Sequence, residues 1–344
     1  MVLSRARALS VLATIVAVLG ITPPAGAAAP SDASSTEPVT VAVPMRVIAS
    51  PGGSGMNGIV EIRLGRSQPF AVMLDTGSVG LRVFPGAWDE APAGVRVSDA
   101  RLTLPSGGAA MRGFVASAPF TIGGVATTRD VGFQYVDTDS AYIAQWAATG
   151  VYGILGVGTG RYALPNPIAA LPGDAGQRWS IRFGGDPLTR RPGRGTLVLG
   201  AELPAAATAT FRLPPRGPDE HGALLWDDHR ADGCWTFGTR AEQCVDTWFD
   251  SGFSVMRVKG SAFARVPRTS TDAMRSGTTV SLAESGSAFA AWRFVAGTTH
   301  SLDFARVLPA GRAQINTGNA PYFQYTVTYD VERGLISLSR PAAS

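Results

Sequence analysis

The chain has 344 residues, 45% of them hydrophobic and 16% charged, with 30 Lys and Arg against 26 Asp and Glu. High apolar content with sparse charge excludes a disordered chain. The formal charge of +4 is small and rests on scattered arginines, Lys259 being the only lysine, so no basic run points to nucleic acid.

The first elements are leader-like. Arg5 and Arg7 precede the apolar stretch Ala8 to Gly20, then Pro23, Pro24 and the small residues Ala25 to Ala29. A basic start, a short apolar run and a small-residue site spell a secretory signal, with cleavage expected near Ala27 or Ala29. The run is short for a membrane span, and no second long apolar run follows. We therefore read residues 1–29 as a signal peptide and expect a secreted, monomeric product that is free of the membrane. Residues 30–40, mostly Ser, Ala, Pro and Thr, read as a flexible linker.

About 315 residues remain, a length suited to two domains. They form short runs rich in Val, Thr and aromatics, punctuated by Gly and Pro. Val41 to Val47, Val60 to Leu64, Arg101 to Leu104, Phe114 to Ile122, Gly132 to Val136, Gly195 to Gly200 and Phe323 to Tyr329 read as strands. Ile168 to Leu171 and Ser261 to Ala264 read as short helices. The chain is expected to be mainly β. The Ala- and Pro-rich stretch Pro204 to Arg216 suggests a boundary near Gly200, giving lobes at 41–202 and 203–344.

Cys234 and Cys244 are the only cysteines. In an exported chain, two cysteines read as one disulfide. His221, Asp227, Asp228, His229 and Asp232 crowd the preceding loop, but the cysteine spacing fits no common zinc knuckle. These polar residues read as an exposed turn, and no metal or cofactor is expected.

One pattern occurs twice: an apolar approach, then Asp, a small hydroxyl residue and Gly. The first copy is Leu74-Asp75-Thr76-Gly77-Ser78 and the second Phe249-Asp250-Ser251-Gly252-Phe253, one in each proposed lobe. A single Asp-Thr-Gly is compatible with a β-turn capped by its own Asp. A carboxylate between apolar strands is costly unless hydrogen-bonded or used. The paired loops resemble those of the pepsin-like aspartic proteases. Tyr152-Gly153-Ile154-Leu155-Gly156, Trp179-Ser180-Ile181 and the segment from Gly318 to Asp330 are similar to further parts of that family.

The resemblance implies a bilobal fold, two β-lobes around a central cleft with both Asp loops on its floor. It also implies that Asp75 and Asp250 are catalytic and hydrolyse polypeptide without cofactor or metal. Thr76 and Ser251 would exchange hydrogen bonds with the opposing backbone, and Gly77 and Gly252 would allow close approach to the carboxylates. The two acids share one proton and titrate as a pair, so activity is expected at acidic pH.

The pattern departs from the family at three places. The hairpin turn Leu104-Pro105-Ser106 carries Leu104 where a Tyr would close over substrate. Arg82 stands at the place of that Tyr's Trp partner. Phe253 replaces the hydroxyl residue after the second Asp-Ser-Gly, whereas Ser78 keeps that role at Asp75. These departures imply altered specificity, with Arg82 favouring acidic side chains near the cleft, or a weak or inactive relative that serves as a binding or inhibitor protein. Loss of the donor at Phe253 should raise the proton affinity of Asp250. A glycosidase pairing would need carboxylates spaced for a sugar. Serine chemistry has no Gly-x-Ser-x-Gly elbow, and His221, His229 and His300 have no evident Ser partner.

Overall fold

Alternation sets the first strand: Val43, Met45 and Val47 face inward while Ala42, Pro44 and Arg46 face out, along Val41–Ala49. The computed structural model describes residues 40–341, apart from 54, 107–108, 205–206 and 298–304. The expected signal peptide, nearly all of the linker, the tip of the hairpin after Ser106, and His300 lie outside the described residues.

The strands form a thirteen-stranded sheet, a seven-stranded sheet and a two-stranded ribbon. The large sheet carries the first Asp loop. Phe70–Asp75 pairs in parallel with Val151–Val157, which pairs antiparallel with Val79–Val83 on its other side. Both Phe70–Asp75 (up to Leu74) and Val79–Val83 are buried along their length, which explains their apolar sequence apart from Arg82. The second sheet repeats the device: Gln243–Trp248, which leads to Asp250, pairs in parallel with Gln314–Asn316.

The large sheet also takes in strands from the end of the chain. Thr326–Asp330 pairs with Arg178–Arg182, and Leu335–Ser339 pairs with Ala209–Arg212. Its core includes the fully buried Trp179 stacked on Tyr329, with ring centroids 5.8 Å apart. Such a pair contributes about 1 kcal/mol beyond its buried area.

Most expected strands are present, several of them longer. The short helices are 3-10 turns at Ile168–Ala170 and Ser261–Phe263. One segment differs: Phe323 and Gln324 belong to the helix Ala320–Gln324, and the strand starts at Thr326. Pro321 in the first turn fixes a helical φ there, overriding the β preference of the aromatics. The helix Ala141–Ala147 was not expected; it is about two turns, anchored by buried Ile143 and Trp146 and capped by Ser140. Among the described residues, no helix is long and apolar enough to cross a membrane.

Candidate active site

The Asp75 and Asp250 loops are locked to each other by reciprocal hydrogen bonds. The Thr76 amide donates to Ser251 Oγ and the Ser251 amide donates to Thr76 Oγ1, both at 2.9 Å. Each hydroxyl then donates into the opposing strand, Thr76 to the Phe249 carbonyl at 2.9 Å and Ser251 to the Leu74 carbonyl at 3.0 Å. All four groups are buried, so each bond also relieves a desolvated polar atom. This is the expected exchange.

The carboxylates face each other across this lock. The Gly77 amide donates to Asp75 Oδ1 at 2.8 Å and the Gly252 amide to Asp250 Oδ1 at 3.1 Å. A Cβ on Gly77 would run into the Asp250 carboxyl, and one on Gly252 into that of Asp75. The glycines are therefore required by the opposing acid as well as by their own loop.

Each carboxylate has one further donor, and here the structure corrects an expectation. Ser78 Oγ donates to Asp75 Oδ2 at 2.6 Å. Phe253 brings no hydroxyl to Asp250; its ring lies under the Arg257 guanidinium, 4.2 Å away. Asn316 replaces the missing donor, with Nδ2 donating to Asp250 Oδ2 at 2.7 Å. The Gly318 amide donates to Asn316 Oδ1 at 2.7 Å and so fixes the orientation of the side-chain amide. The proton affinity of Asp250 is indeed raised, but the causes are burial first and the charge of Asp75 second. Asp250 is only 5% exposed, while Asp75 is partly open.

Sequence reasoning missed Asn316, although Ile315-Asn316-Thr317-Gly318 echoes Leu74-Asp75-Thr76-Gly77. It also missed the layer beneath the lock. Tyr322 Oη lies 2.9 Å from Thr76 Oγ1 and 2.7 Å from Tyr329 Oη, and Tyr329 donates to the Phe249 carbonyl at 3.2 Å. Asn57 Nδ2 holds the Gly252 carbonyl at 3.0 Å.

Arg82 is not an open cleft residue. It is 4% exposed and donates through Nη1 to Ser78 Oγ at 3.2 Å, behind Asp75. Burial lowers its pKa, and the charge of Asp75 opposes that shift. Its Nε has no partner among the described residues. Thus it cannot meet an acidic substrate side chain as expected; it stands against Ser78 instead. Leu104 is buried on the hairpin, cross-strand from Met111, and Pro105 is exposed beyond it. Ser106 ends that strand. Two tyrosine hydroxyls interact electrostatically with both Asp75 and Arg82, those of Tyr142 and Tyr162, and desolvation pushes the pKa of each up to about 12.

The expected exposed turn before the cysteines is also corrected in part. His221 is exposed, but Asp228 is 3% exposed and accepts from the Thr159 amide at 2.5 Å. Its pKa is raised to about 7 by burial. His229 stacks on Trp248, two residues before Asp250, with ring centroids 3.7 Å apart. Cys234 and Cys244 are directly cross-strand and form a disulfide. Among the described residues, the grouping with metal-ligand geometry is Cys234, Glu242 and Cys244, and the disulfide leaves it no thiolate.

No family model matches the chain, and no curated protein matches it. Among solved structures it is similar to an aspartic proteinase from Irpex lacteus, at 14% identity and a TM-score of 0.58, over 88% of this chain and 98% of that one. At this identity the likeness is one of fold. The chain has the mainly β, pepsin-like aspartic proteinase fold.

Proposed function

We propose that the chain is a secreted aspartic endopeptidase that cleaves polypeptides at acidic pH through a water activated by Asp75 and Asp250. The observation that carries this reading is the pair of carboxylates held face to face by the Thr76–Ser251 exchange. The leader sequence supports export, and one Asp loop per half supports lobes at 41–202 and 203–344.

The asymmetry of burial supports roles for the two acids. Asp250, the more buried, holds the shared proton, and Asp75 carries the charge. Asp75 takes a proton from the water as it attacks the scissile carbonyl carbon, while Asp250 gives its proton to the carbonyl oxygen. The tetrahedral diol then collapses: the C–N bond breaks, the proton on Asp75 goes to the leaving nitrogen, and Asp250 recovers its own. Ser78 and Asn316 steady the two carboxyl groups through these transfers.

The test is cleavage of a diverse peptide library by the mature chain from pH 3 to 7, with and without pepstatin. Pepstatin-sensitive cleavage, falling as pH rises and the shared proton leaves, is the expected result. A folded chain that cuts nothing would favour the alternative, a binding or inhibitor protein on this fold, to which Leu104 on the hairpin would then point.

A further inference from the structure

The dyad has an imidazole neighbour that the proposed reaction does not yet use. His229 lies in the 3-10 turn Asp228–Arg230, ahead of the strand Ala231–Phe237. Its ring stacks on Trp248, in the strand that delivers Asp250. The ring also faces the Gly77 carbonyl, in the other Asp loop, which favours its protonated form. Nε2 lies 3.5 Å from Tyr162 Oη and 4.0 Å from Asp228 Oδ1. Gln314 Nε2 donates to the His229 carbonyl at 3.2 Å, which fixes the turn.

We propose that His229 is a positioning residue for the dyad: wedged between Trp248 and Gly77, it ties the two Asp loops together and, when protonated, places a cation beside Asp75. This rests on the protease reading. A ring held on both loops restrains the separation of the carboxylates, and a small misplacement of reacting groups is costly in rate.

The charges around the ring decide what its protonation does. The groups facing it are Asp75, Asp227, Asp228 and Tyr162. Asp227 is engaged by Arg216. Asp228 is buried and carries its proton at acid pH, and Tyr162, raised to about 12, stays neutral. That leaves Asp75, whose other cationic neighbour is Arg82 behind Ser78, as the counter-ion for the ring. Burial lowers the pKa of His229, and the Asp75 charge works against that shift. A protonated His229 therefore sets a positive charge beside Asp75 over the acid range, where the mechanism needs it.

Two measurements test this. In NMR, the His229 imidazole is titrated in the wild-type chain and in Asp75→Asn. The midpoint should drop in the variant, because the charge that favours imidazolium is gone; an unchanged midpoint overturns the pairing. This readout does not require turnover. In kinetics, His229→Phe keeps an aromatic stack and loses both nitrogens, while His229→Gln keeps hydrogen-bonding groups. We expect kcat of the Phe variant to fall about tenfold or more with KM within about twofold, the loss growing towards pH 3, and partial rescue by Gln. A loss equal at every pH, with Gln no better than Phe, would make His229 a packing residue and overturn the proposal, as would wild-type rates in both variants. A wild-type chain that neither cleaves peptide nor binds pepstatin overturns the protease reading, and the kinetic role falls with it.

Discussion

Asp75 and Asp250 have matched donors but unequal surroundings. Each accepts from the amide two residues on and from one side chain, Ser78 or Asn316. What separates them is burial, and desolvation favours the protonated form of the deeper acid. Asn316 works against that trend by donating to the charged form. Asn316→Ala should therefore hold the proton on Asp250 more tightly and move the alkaline limb of the activity profile upward. A hydrogen bond to a charged group contributes about 1.5–3 kcal/mol, so kcat should fall about tenfold to a hundredfold. Steady-state rates across pH would show it; an unmoved limb would mean that Asn316 is not coupled to the dyad.

At the scale of elements, each acid sits at the end of a strand with a parallel neighbour: Val151–Val157 beside the first and Gln314–Asn316 beside the second. The hairpin that leads to Asp250 is pinned by the disulfide, with Cys234 buried and Cys244 at the surface. Closing a loop this short contributes on the order of 2–3 kcal/mol in the chain-entropy model. A Cys234→Ala, Cys244→Ala chain should be less stable by that amount and melt at a lower temperature, and thiol labelling of the native wild-type chain should find no free cysteine. Two reactive thiols would contradict the pairing. The strands were legible because their alternation reports burial on one face, as in Val41–Ala49. The helices at 141–147 and 320–324 were not, since two turns or fewer give no period to detect and the helical residues are held by tertiary packing.

For the whole molecule, buried acids with raised pKa values set an unusual pH dependence of stability. Asp228 moves from 3.8 to about 7 through burial, so between these values the folded chain binds more protons than the unfolded one. Its contribution is complete below pH 3.8 and is lost as pH rises through about 7. Asp250 acts in the same direction. The chain should thus melt at lower temperature at pH 7.5 than at pH 4.5. Asp228→Asn should flatten the difference by at most about 3 kcal/mol by linkage. A wild-type chain equally stable at both values would contradict this. The two Asp loops were legible in sequence because each motif holds its acid, hydroxyl and glycine within three residues. Asn316, Arg82 and His229 were not placed correctly, because their roles come from strands and turns remote in sequence. Arg82, expected near the cleft, is instead buried in Val79–Val83 between Val125–Val136 and Val151–Val157.

The most direct measurement compares peptide cleavage from pH 3 to 7 by the wild-type chain, Asp75→Asn and Asp250→Asn, with folding of each checked by its melting curve. Acid-dependent cleavage by the wild type, lost in both folded variants, is the predicted result. Cleavage that persists in either variant would contradict catalysis by a shared-proton Asp75–Asp250 pair.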